Sequence, residues 1–93
     1  MEAMVKTTRL LGLAEMEPIA KNATYAALIG YIPPSDEDKA VMTLGTMVTD
    51  TEGVFELYIP ADRPQDAKVI SCAKVNRLTG EVNVEVFLQP AEG

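Results

Sequence analysis

"VISCAKVNRLTGEVNVEVFL", residues 69–88, decides the fold. Apolar residues alternate on either side of Arg77-Leu78-Thr79-Gly80, a loop that ends in glycine. Pairing outward from that loop sets Val75 opposite Val82, Ala73 opposite Val84, Ser71 opposite Val86 and Val69 opposite Leu88. These residues share one face, and all but Ser71 are apolar. The other face pairs Asn76 with Glu81, Lys74 with Asn83, Cys72 with Glu85 and Ile70 with Phe87. Strand side chains alternate with a period of two, so a one-residue slip would mix the two faces. The stretch is therefore expected to be an antiparallel hairpin of fixed register.

Upstream, "AVMTLGTMVTDTEGVFELYIP", residues 40–60, reads as a second hairpin. Asp50-Thr51-Glu52-Gly53 is the expected loop, with Gly53 free to take positive φ. That loop pairs Val48 with Phe55, Thr46 with Leu57 and Leu44 with Ile59. The opposite face pairs Thr49 with Val54, Met47 with Glu56 and Gly45 with Tyr58, a ring lying across a glycine. "PADRPQD" then separates the hairpins, with Pro60 and Pro64 as breakers.

A helix is expected ahead of the strands. Pro18 suits a first helical position. Ile19, Ala23, Ala26, Ala27 and Gly30 follow at helical spacing, small enough for close approach to a sheet. Gly30 is the expected stop, and Pro33-Pro34 forbids continuation. The alternative is a strand over "TYAALIGYI", residues 24–32. Residues 1–16 are readable as a strand, a short helix stopped at Gly12, or an arm covering the sheet, and residues 91–93 as a tail. The sum is a single α+β domain over 1–93: one main N-terminal helix on a four-stranded antiparallel sheet built of two consecutive hairpins. The order is similar in architecture to cystatin-like and other small helix-plus-meander folds. It has no glutamine–valine–glycine inhibitory loop, so the resemblance assigns no functional residue.

Composition narrows the function. A net charge of −6 repels phosphate backbones and anionic lipid, which disfavours nucleic-acid and membrane partners. A single cysteine forms no intramolecular disulfide. No signal-peptide core and no apolar run of about 18 residues is present, so the cytoplasm is the expected location. The chain has no histidine, which removes the commonest general base and metal ligand. No phosphate-binding loop or dinucleotide fingerprint appears. No enzyme activity, cofactor or metal is expected.

The remaining candidates are few. Cys72 has Lys74 nearby on its face, but Glu85 opposite would oppose thiolate formation, so an inert thiol is expected. "SDEDK", residues 35–39, lacks the alternating ligands of a calcium loop and reads as a solvated turn, or as a short helix capped by Ser35 with Asp38. Glu56 and Glu85 read as solvated strand residues. Tyr25 reads as a packed helix residue with its hydroxyl at the rim.

The second sheet face is the main lead. It would carry Met47, Val54, Tyr58, Ile70, Cys72 and Phe87 among Glu56, Lys74, Asn83 and Glu85, too apolar for a wet surface. The expected interface is Met47, Tyr58, Ile70, Cys72, Glu85 and Phe87. The function expected from it is a small acidic protein-binding module: an inhibitor, an immunity or anti-defence type of protein, or an accessory protein. One alternative is a homodimeric scaffold packed sheet to sheet. The other is a small ligand-binding protein or enzyme that uses carboxylates and tyrosines in the concavity between helix and sheet. A helix stripe of small residues would tend to close that concavity.

Overall fold

The computed structural model describes residues 10–91. The chain runs through α1 (Leu13–Leu28), a short α2 (Asp36–Val41), β1 (Thr43–Val48) and β2 (Glu52–Ile59). A single 3-10 turn at Pro64–Asp66 leads to β3 (Lys68–Asn76) and β4 (Val82–Val86). The strands form one antiparallel sheet in the order β1-β2-β3-β4. α1 lies across one face, mainly over β4 and β3. The helix-on-meander α+β arrangement read from the sequence is the one observed.

The hairpin of β3 and β4 has the expected register. Val75 faces Val82, Ala73 faces Val84 and Ser71 faces Val86, with Cys72 opposite Glu85 and Lys74 opposite Asn83. Its turn is held by chemistry specific to those residues. The Asn76 side-chain oxygen accepts the N–H groups of Leu78 and Thr79 at 2.8 and 3.1 Å. Gly80 closes the loop at φ +82, a conformation costly to a residue with a Cβ.

α1 begins a turn and a half earlier than Pro18 suggests. Gly12, read as a possible stop, is its N-cap, and the Gly12 N–H donates to the Glu15 carboxylate at 2.8 Å. Pro18 therefore sits inside the helix. It withholds the N–H that would reach the Ala14 carbonyl, and Ala14 is exposed, where water can serve instead. The earlier start rotates the buried face. Met16, Ala20 and Thr24 are buried, four residues apart, while Ile19, Ala23 and Ala27 flank them half-buried. Ala26, expected inward, is exposed. The helix ends as expected, with Gly30 at φ +94 just past the last turn.

The hairpin of β1 and β2 differs from expectation in register. Leu44 faces Leu57, Thr46 faces Phe55 and Val48 faces Gly53, a shift of two residues from the expected pairing. A shift of two preserves which side chains share a face. The turn is tighter than expected because Thr49 organises it: its hydroxyl oxygen accepts the N–H groups of Thr51 and Glu52 at 3.3 and 3.0 Å. Gly53 consequently lies in β2 and is buried. A Cβ built there would come within 2.7 Å of Met16 Cε and 2.8 Å of Met16 Sδ. Gly53 is the floor on which the helix side chain rests, not a turn residue. The ring of Tyr58 does lie against Gly45, 3.3 Å from where a Cβ would stand, although Gly45 pairs with Glu56.

The core consists of Met16, Ala20, Phe55, Ala73 and Val75, with Leu11, Ile19, Leu44, Val82 and Val84 packed around it. Arg77 ties the turn end of the sheet together. Its guanidinium donates to the Leu11 carbonyl at 3.0 Å and to the Thr49 carbonyl at 2.8 Å, and its N–H donates to the Thr51 carbonyl at 3.0 Å. At the opposite end, Ile32 donates to Gln89 at 2.8 Å and Ala91 to Gly30 at 2.7 Å. Ala91, read as the start of a tail, is thus part of the structure. The covering-arm reading of residues 1–16 falls partly outside the described residues. Within them, Leu11 joins the core on the helix side, and Leu13–Met16 form the first turn of α1.

Candidate functional site

The sheet register places part of the expected interface together. Gly45, Glu56, Cys72 and Glu85 form one row across the four strands, and Met47, Val54, Lys74 and Asn83 form the next. Tyr58 lies at the end of the same face, opposite Thr43 and Val69. Met47 is 59% exposed; Val54, Tyr58 and Cys72 are half-buried; Glu56, Lys74, Asn83 and Glu85 are exposed. Met47, Tyr58, Cys72 and Glu85 therefore share the second face as expected.

Ile70 and Phe87 lie beyond these rows, at the end of the sheet. A bulge between Leu57 and Tyr58 leaves Ile70 with no partner on β2. At such a bulge two successive residues turn to one side. Ile70 is 1% exposed, so it offers no surface to a partner. It floors a depression of about 360 Å³ at the end of the sheet, walled by Ile32, Pro33, Pro34, Phe87 and Leu88. Phe87 is 51% exposed there and Ile32 is 52% exposed. The second face is correspondingly less apolar than its sequence suggests, and the aromatic anchor lies at the corner.

The corner is built by non-local contacts. Pro33 and Pro34 keep the chain extended after α1. The Ile32-to-Gln89 bond and a bridge between Tyr31 and Pro90 then hold this segment beside the chain that leaves β4. Ser35 and Asp38 complete the wall. Ser35 caps α2, accepting the Asp38 N–H at 3.1 Å. Asp36, Glu37 and Asp38 occupy the first turn, where the helix dipole favours negative charge. Lys68 lines the depression as well, so its two charged lining residues among those described, Asp38 and Lys68, offset each other.

Reactive chemistry finds little support in this geometry. Burial pushes the Cys72 thiol above its ordinary pKa; Glu56 adds to the rise, Lys74 opposes it, and Glu85 and Glu52 add further. The protonated thiol is thereby favoured, and a protonated thiol is a poor nucleophile. Glu56 and Glu85 flank Cys72 from the strands on either side and so stand two strands apart, roughly 10 Å across the sheet, too far to share a proton. Among the described residues, no group of three acidic or cysteine side chains is placed to hold a metal ion. No helix among them is long and apolar enough to cross a membrane. Tyr25, expected to pack, is 64% exposed.

No known protein family matches the chain, no curated protein is similar to it, and no solved structure matches its fold.

Proposed function

We propose that the protein is a small acidic binding module that holds another protein at the corner formed by Ile32, Pro33, Pro34 and Phe87. The observation that carries this reading is the concave depression at that corner, with apolar walls, a half-exposed aromatic side chain at its lip, and Asp38 and Lys68 as its charged lining residues. Apolar anchors enclosed by charged rims are the usual form of a specific protein contact. Charge selects the partner: a chain of net charge −6 fits an apolar side chain set among basic residues. A second copy of the chain would bring a like net charge. An inhibitory, immunity, anti-defence or accessory role acting in the cytoplasm fits such a module.

A competing reading is self-association through β1. That strand is a sheet edge, and Thr43–Val48 contains no charge and no proline to guard it. Light scattering at high concentration tests it: a clean mass near the 10.1 kDa of one chain would sink self-association.

The test of the principal reading is affinity isolation from the native host with the wild type, Phe87→Glu and Asn22→Glu. Phe87→Glu is expected to weaken capture of one identified protein by at least about 30-fold, as for an interface hot spot. Asn22→Glu, on an exposed position of α1, is expected to leave capture intact. Equal capture by all three chains would refute the corner as the contact.

A further inference from the structure

We propose that a second cleft, between α1 and the β1–β2 half of the sheet, binds a small amphipathic monocarboxylate whose apolar body carries one hydrogen-bonding group. This goes beyond the protein-binding reading and uses none of the corner residues.

The cleft exists because α1 sits over β4 and β3, leaving the helix-side face of β1 and β2 only partly covered. Its volume is about 220 Å³. A dry cavity of roughly 150 Å³ already admits a benzene ring, so this one has room for a ring with a short side chain. Leu44, Phe55 and Leu57 supply an apolar floor, and Met42 lies at one side.

Two features make it more than a packing gap. First, Ser71 lines it, 1% exposed, and its hydroxyl has no hydrogen-bond partner. Native proteins rarely leave a buried hydroxyl unpaired, and alanine would fill the same place in the valine ladder without that loss. A ligand group reaching the floor would supply the missing bond. Second, among the described residues the cations at the cleft are Lys21 and Lys39, both exposed at its mouth. Lys21 lies 3.5 Å from Glu17, whereas Lys39 has no ion-pair partner among the described residues. Among the described residues, no carboxylate lines the cleft. A carboxylate held at the lysines, an apolar body over Phe55 and Leu57, and a polar group at Ser71 together define the ligand.

The test is amide NMR titration with 3-(4-hydroxyphenyl)propionate and with 3-phenylpropionate. Saturable shifts are expected at Thr24, Leu57 and Ser71, with the phenol binding roughly tenfold tighter, the effect of one good hydrogen bond. In Ser71→Ala that preference should fall to about one, while Lys39→Gln weakens both probes several-fold. Leu57→Trp, which fills the cleft, should abolish both. Phe87→Glu should change neither, which separates this site from the corner. No saturation at millimolar probe, shifts confined to other residues, or a preference that survives Ser71→Ala would overturn the proposal.

Discussion

The two hairpins share one sheet, yet their surroundings differ. β3 and β4 lie under α1, and Ala73 and Val75 are fully buried there. β1 and β2 are roofed less completely: Leu44 and Leu57 remain half-buried beside an open cleft, and β1 is a free edge. The packed core runs over β3 and reaches Gly53 and Phe55 of β2, while the rest of the β1–β2 hairpin keeps surface to spare. The difference teaches that a helix placed off-centre on a meander divides it into a structural half and a half available for contact.

Substitutions can break this comparison. The largest effect is expected from Met16→Ala, which empties the centre of the core and should cost about 2–5 kcal/mol in chemical denaturation. Gly53→Val should cost about 1–3 kcal/mol by driving a side chain into Met16, whereas Gly45→Ala, on the second face, has only the half-buried Tyr58 ring to displace and should cost under about 1 kcal/mol. A pair of equal costs would contradict the placing of Gly53 beneath Met16 and of Gly45 on the second face. Arg77→Ala should cost about 1–2 kcal/mol, since it releases bonds to Leu11 and Thr49 at the end where the hairpins meet. The smallest effect concerns Cys72. Glu56→Gln removes a charge that holds the thiol protonated, so the pKa should fall and alkylation at pH 8 should quicken about twofold. An unchanged rate would show that burial alone protects the thiol.

The same contrast explains what was legible in the sequence. The β3–β4 register could be read because local chemistry and burial agree: Asn76 and Gly80 fix the turn, and the valine ladder has one buried side. In the β1–β2 hairpin, Gly53 resembled a turn glycine. Its real constraint is Met16, a residue far away in sequence that was itself placed outside the helix. Pro18 misled in the same way, since a proline inside a helix at an exposed turn looks locally like a first position. The candidate site was half legible. Alternation placed Met47, Tyr58, Cys72 and Glu85 on one face, but Ile70 falls at a bulge and is buried at the corner, and the pairing of Ile32 with Gln89 joins segments that no local pattern connects. Ser71 was visible as the single polar residue of the ladder, and an isolated serine in an apolar row is the signal that could have marked the cleft.

The central claim is that a basic-rimmed protein docks at the Ile32–Phe87 corner. The most direct measurement places a photo-crosslinking amino acid at Phe87 or, as control, at Asn22, and identifies adducts from the native host by mass spectrometry. The account predicts one dominant adduct at Phe87, absent at Asn22, whose yield falls as salt is raised from about 0.05 to 0.5 M, where surface charge is screened. Identical adducts at both positions, or a Phe87 adduct indifferent to salt, would contradict it.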